Sequence, residues 1–147
     1  MLLDLNWRVM GESLPLFQEG FISTLSISLA AFVGALSLGV LACVMSLQSS
    51  RWLRAPAVVY IDAIRATPLL AQLYFLYFGL PLLGVRMPEI AVGVLALSLN
   101  SGAYVSEIIR SGIMGIPAGQ MEASASAGLT YSQQMRLIIL PQALRPM

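Results

Sequence analysis

Asn100, Tyr104, Glu107 and Ser111 recur at spacings of three and four residues, which on an α-helix aligns them along one face within an otherwise apolar stretch. An amide, a phenol, a carboxylate and a hydroxyl in a row can hydrogen-bond and attract charge, but they contain no nucleophile with its base. The chain has no histidine, no lysine and a single cysteine, Cys43. Neither a Ser-His-Asp nor a Cys-His pair can form, and a zinc site lacks its ligands. Without lysine there is also no phosphate loop ending in Gly-Lys-Ser/Thr, so any ATP must be hydrolysed on another chain. The expectation is a protein that is not an enzyme and needs no cofactor. The polar row itself reads in two ways. Gln72, Asn100, Tyr104 and Glu107 line a path for a small polar solute, with Glu107 drawing a cationic group, or they bond helix to helix, with Glu107 held by Arg110 on the next turn.

The elements that must position this row lie in lipid. Of 147 residues, 58% are hydrophobic and 10% charged, against about 25% charged in a soluble domain. Net charge is +1 and the arginines are dispersed, so nucleic acid is not an expected partner and membrane lipid is. Three spans are expected, near residues 21–47, 56–83 and 90–110, each long enough for a bilayer. In the first, Ala31, Ala35, Gly39 and Cys43 recur every fourth position. That pattern is either a seam for close helix approach or chance in an alanine-rich segment. Cys43 reads as a small buried hydrophobe.

The second span is interrupted by Asp62, Arg65, Thr67 and Pro68. Either one helix kinks at Pro68, or a first segment ends near Arg65 and Thr67 caps a new helix with Pro68 at its first position. The kinked helix is the expectation, with Asp62 and Arg65, three apart, pairing. Gly79, Pro81, Gly84 and Pro88 mark a tight connection to the third span. Residues 1–19, acidic at Asp4, Glu12 and Glu19, read as a retained external or interfacial segment whose Leu3, Trp7, Met10 and Leu14 follow helical spacing. Arg51 and Arg54 follow the first span, and Arg110, Arg136 and Arg145 the third, while the opposite side carries Arg8 and Arg86. This asymmetry puts the N-terminus outside and the C-terminus in the cytoplasm.

Beyond the third span, the pattern predicts two short helices. Pro117 begins the first, over 118–127, and Gly128 ends it. Thr130 and Gln133 form a capping box for the second, which carries Met135, Leu137, Ile138, Ile139 and Leu140 and whose continuation Pro141 limits.

Glu122-Ala123-Ser124, then Gly128, then Ile138, Leu140 and Pro141 resemble the "EAA" loop of binding-protein-dependent ABC importer permeases: Glu-Ala-Ala, three residues, Gly, nine residues, Ile-x-Leu-Pro. Ser124 replaces the usual alanine and keeps the side chain small. Arg65-Ala66-Thr67-Pro68-Leu69-Leu70 is similar to the Arg-Gly-Thr-Pro-Leu-Leu of the polar amino acid branch, with Ala66 for glycine. The stretches 77–81, 96–104 and 116–120 fit the same branch, with Ala118 where a basic residue is common. The resemblance implies an all-α, polytopic helical bundle of the type I ABC importer permease class with a cytoplasmic coupling-helix loop over 112–141. It implies a multi-pass protein of the bacterial inner membrane that moves a polar amino acid. The partners it implies are an ABC ATPase subunit, a second permease subunit (the same chain or a different one) and an external substrate-binding protein. Within the loop it implies that Pro117, Gly119, Glu122, Ala123, Ser124, Gly128, Ile138, Leu140 and Pro141 form the ATPase-docking surface. Family members usually continue with further membrane helices, so the transmembrane domain, 20–147, is expected to be C-terminally incomplete. The alternatives are a permease for another small metabolite, or a fragment of an ion-coupled secondary transporter.

Overall fold

The computed structural model describes residues 7–144, with side chains described from residue 11. Leu3, Asp4 and Arg145 lie outside the described residues, as do the side chains of Arg8, Trp7 and Met10. Among the described residues the protein is helical with no strand. Helix α1, Trp7–Ser46, runs through the expected boundary at Gly20 without a break. Its forty residues make a rod of about 60 Å, against an apolar bilayer core of roughly 30 Å. The segment before the first span therefore extends the same helix rather than forming an element of its own. Leu25, Leu29, Phe32, Val33, Leu36, Val40 and Val44 are exposed along it, a face that suits hydrocarbon and not water.

The opposite face of α1 settles the question of the fourfold pattern. Ala31, Ala35, Gly39 and Cys43 are all buried, chiefly against α5, Glu89–Met114, with which α1 makes the most extensive helix pair in the molecule. The two run parallel, Ala31 beside Ser98 and Gly39 beside Gly102 and Val105. A Cβ built on Gly39 would lie 2.5 Å from Val105 Cγ1 and 2.9 Å from the Gly102 carbonyl oxygen, so the backbones approach as only glycine permits.

Helix α2, Arg51–Arg65, and helix α3, Leu69–Tyr74, are separate helices and not one kinked rod. Thr67 Oγ1 turns back to donate to the carbonyls of Ala63 and Ile64 at 3.0 and 3.2 Å, closing α2. Pro68, extended at ψ 141°, stands as the N-cap of α3. The residue before a proline is pushed out of helical backbone, and the chain breaks here with a side chain closing the end of α2. Past α3 the chain widens into a π-turn, Phe75–Gly79, before α4, Leu80–Leu82. Pro81 thus sits inside the helical run, and the connection begins only at Leu83, turning at Gly84 with φ +85°.

The same device recurs at the other end. Helix α6, Ala118–Ser126, is followed by α7, Tyr131–Gln134, a π-turn, Met135–Ile139, and α8, Leu140–Ala143. Pro141 does not stop this helix. In both places the wider turn precedes a Leu-Pro pair and moves the carbonyl that the proline ring would otherwise strike.

Candidate functional site

Gln72 holds the break between α2 and α3 together. Its Nε2 donates to the Ile64 carbonyl at 2.9 Å, to Thr67 Oγ1 at 2.9 Å and to the Thr67 carbonyl at 3.1 Å. Its remaining oxygen accepts from Asn100 Nδ2 on α5 at 3.4 Å. One amide therefore joins the end of α2, the start of α3 and the middle of α5. Beside it an apolar hollow of about 350 Å³ is lined by Ile64, Thr67, Ala71, Gln72, Phe75, Leu76 and Leu99. Tyr60 on α2 donates its hydroxyl to the Leu99 carbonyl at 2.7 Å, pinning α2 against α5 one residue from Asn100. No local pattern signals Tyr60, because its acceptor is a backbone atom distant along the chain.

Two turns beyond Asn100 along α5 the row becomes ionic. Glu107 Oε1 accepts from Arg110 Nη2 at 2.6 Å and from Nε at 3.2 Å. Arg65, at the end of α2, does not pair with Asp62. Its Nη1 lies 3.5 Å from Glu107 Oε2, and its guanidinium sits 5.6 Å from the centre of the Tyr104 ring. Asp62 has no ion pair among the described residues. It lines, with Ser46, Arg54, Glu107 and Arg110, a second hollow of about 250 Å³ between α1, α2 and α5. The interhelical contacts thus place Gln72, Asn100, Tyr104 and Glu107 in one continuous polar strip, with Arg65 and Arg110 added to it. Ser111 is not part of the strip's bonding, since its hydroxyl returns to the Ile108 carbonyl.

The segment after α5 is built from small side chains and strong stops. Pro117, at ψ 135°, precedes the first residue of α6. Gly128, at φ +80°, ends that helix by donating to the Ala125 carbonyl at 2.9 Å, while the Leu129 N–H reaches the Ser124 carbonyl at 3.2 Å. These are the two bonds of a Schellman stop, and the left-handed residue between them favours glycine. The Thr130–Gln133 capping box forms, with the Thr130 N–H donating to Gln133 Oε1 at 2.9 Å. Pro117, Gly119, Glu122, Ala123, Gly128 and Pro141 are exposed, and Ile138 and Leu140 half-buried. Ser124 alone of α6 is buried, at 3% exposure, on the side of α7 and its π-turn. Its smallness therefore serves the fit of α6 onto α7 rather than an outer surface. Among the described residues no group of His, Cys, Asp and Glu could hold a metal ion.

Residues 35–147 match the family described as binding-protein-dependent transport system inner membrane component. The chain is 39% identical over 144 residues to the arginine transport system permease protein ArtQ of Bacillus subtilis (strain 168), covering 97% of this chain and 66% of that one. It is 35% identical over 147 residues to the glutamine transport system permease protein GlnP of Escherichia coli (strain K12), covering 99% and 67%. A solved structure described as an amino acid ABC transporter with histidines superposes with a TM-score of 0.87 at 40% identity, over 96% of this chain and 66% of that one. Among eight of the relatives it matches, the chain spans between 57% and 67% of their length.

Proposed function

The chain belongs to the binding-protein-dependent transport system inner membrane components, and we propose that it forms the permease subunit of an ABC importer for a polar amino acid. The observation that carries this reading is α6: a nine-residue helix ending at a glycine stop, with every side chain but that of Met121 and Ser124 exposed and most of them small. A helix with so little bulk can seat its backbone deep in a partner's cleft. The partner we assign is an ABC ATPase subunit, docked on the loop 112–141 through Pro117, Gly119, Glu122 and Ala123. Ser124, Gly128, Ile138, Leu140 and Pro141 hold that surface in shape. A second permease subunit completes the path, and an external binding protein supplies the cargo. The N-terminus is external and the loop cytoplasmic, following the arginine asymmetry.

The cargo rests on a shared chemistry. The relatives' names give arginine and glutamine, which differ in side-chain charge and share the α-amino and α-carboxylate groups. The strip of Gln72, Asn100, Tyr104 and Glu107 offers amide, phenol and carboxylate groups suited to such a zwitterion.

Uptake by the complete permease with its ATPase and binding protein, in proteoliposomes, tests this. It should require ATP inside the hydrolytic face and continue when ion gradients are collapsed. Uptake that survives without ATP and stops with the gradient would show an ion-coupled transporter instead. A cysteine placed at Gly119 should react with an impermeant reagent only after the cytoplasmic side is opened.

A further inference from the structure

Arg65 and Arg110 share Glu107, but among the described residues Arg51 and Arg54 make no side-chain hydrogen bond or ion pair. Asp62, which lines the inner hollow with Arg54, forms none with it. Both arginines are exposed on the first turn of α2, and their spacing of three puts them on one face of the helix. Ala55 and Val58 continue that face at the next helical steps, and together with the arginines they line an open hollow of about 330 Å³. The stripe thus begins with two guanidinium groups and ends, about 10 Å along the axis, on apolar side chains.

This turn also stands at the edge of the hydrocarbon. Leu41, Val44 and Leu47 are exposed up to the end of α1 and just past it, and the polar residues Gln48, Ser49 and Ser50 then lead into α2. Trp52 is 92% exposed on the same turn, and a tryptophan so placed sits at headgroup level with its ring in an apolar setting and its N–H wet. Val59, exposed beside Ala55 and Val58, continues the lipid-facing surface.

We propose that Arg51, Arg54, Ala55 and Val58 bind one anionic phospholipid, the two guanidinium groups holding the headgroup phosphate and the apolar end of the stripe taking the start of an acyl chain. A planar fork of N–H donors matches phosphate oxygens in paired bonds. A zwitterionic lipid brings its own ammonium group and leaves one arginine charge unbalanced, so the site selects a headgroup of net negative charge. Free phosphate would gain nothing from Ala55 and Val58. The bound lipid fixes the end of α2 that lies away from the break at residues 66–68.

The experiment uses the permease in its purified complex, delipidated in detergent and incubated with equal amounts of phosphatidylglycerol and phosphatidylcholine of matched acyl chains. Native mass spectrometry reads the retained lipids. The tightest site of the wild type should prefer phosphatidylglycerol about twentyfold. Arg51→Gln and Arg54→Gln should each lower that preference about fivefold, and the double variant should abolish it. Arg51→Lys should keep part of it, and Arg86→Gln, at the opposite end of the helices, should leave it unchanged. Because both arginines are exposed and unpaired, unchanged melting temperatures should accompany these losses. No preference in the wild type, an unchanged preference in the double variant, or an equal loss in Arg86→Gln overturns the site. Displacement of the lipid by millimolar inorganic phosphate would make it a free-phosphate site and overturn the lipid assignment. Retention of the lipid only after the partner subunits are stripped away would make this stripe a protein contact and overturn it equally.

Discussion

The α1–α5 pair and the elements attached to it are built on opposite plans. The pair is a continuous parallel contact in which small residues, Ala31, Ala35, Gly39 and Cys43, bring two long helices together with no space for a methyl group at Gly39. The remainder is jointed: a break at residues 66–68, π-turns at Phe75–Gly79 and Met135–Ile139, and a left-handed stop at Gly128. The break at residues 66–68 is held by a few side-chain hydrogen bonds, whereas the second π-turn also buries Ile139. Packed surfaces resist deformation, whereas a junction held by one amide can rearrange at modest cost. The polar strip lies where the two plans meet, α5 supplying a continuous wall and α2–α3 a jointed one.

This contrast breaks most visibly at Gly39. Leucine there would collide with Val105 and the Gly102 carbonyl, and overpacking of this kind costs about 1–3 kcal/mol or more. Gly39→Leu should lower the melting temperature and recovery of the assembled permease. Normal thermal stability would mean that the seam is not the rigid element. Next comes Gly128→Val, where φ +80° adds strain of about 1–2 kcal/mol for a non-glycine residue. Insertion should remain intact while substrate-stimulated ATP hydrolysis is lost. Thr130→Ala removes the cap of the second short helix at a cost of about 1 kcal/mol; weaker ATPase retention, restored by Thr130→Ser, is the expected readout. Gln72→Ala is the gentlest for stability, since interhelical bonds in membranes average about 0.6 kcal/mol. Uptake should nonetheless fall far more than melting temperature does. A stability loss rivalling that of Gly39→Leu would show that the break is as rigid as the seam.

Features carried by local pattern were legible in the sequence. The fourfold small-residue repeat, the stop at Gly128 and the Thr130–Gln133 box each depend on residues a few positions apart, and the structure contains all three. What was misread depended on distant partners. Pro68 is compatible with a kink or a new helix, and the outcome is tied to Gln72, which bonds back across the break to Ile64. Arg65 was assigned to Asp62 because that residue is three positions away, but the preferred carboxylate comes from α5. Pro81 reads from the sequence as part of a tight connection and Pro141 as a limit to its helix, because nothing in the residues themselves announces the π-turns that accommodate them. Gln72, Asn100, Tyr104 and Glu107 were identifiable as polar groups at depth. Their convergence was not, since it requires the break to fold α3 back along α5.

The most direct test of the docking role is cross-linking from α6 to the ATPase subunit in the complete complex. Single cysteines at Gly119 and Ala123, in a Cys43→Ala background, should form cross-links to the ATPase with short bifunctional reagents, changing in yield with ATP. A cysteine at Arg86, in the connection between α4 and α5, should give none. Efficient cross-links from Arg86, or their absence from both α6 positions in an assembled, ATP-hydrolysing complex, would contradict the account.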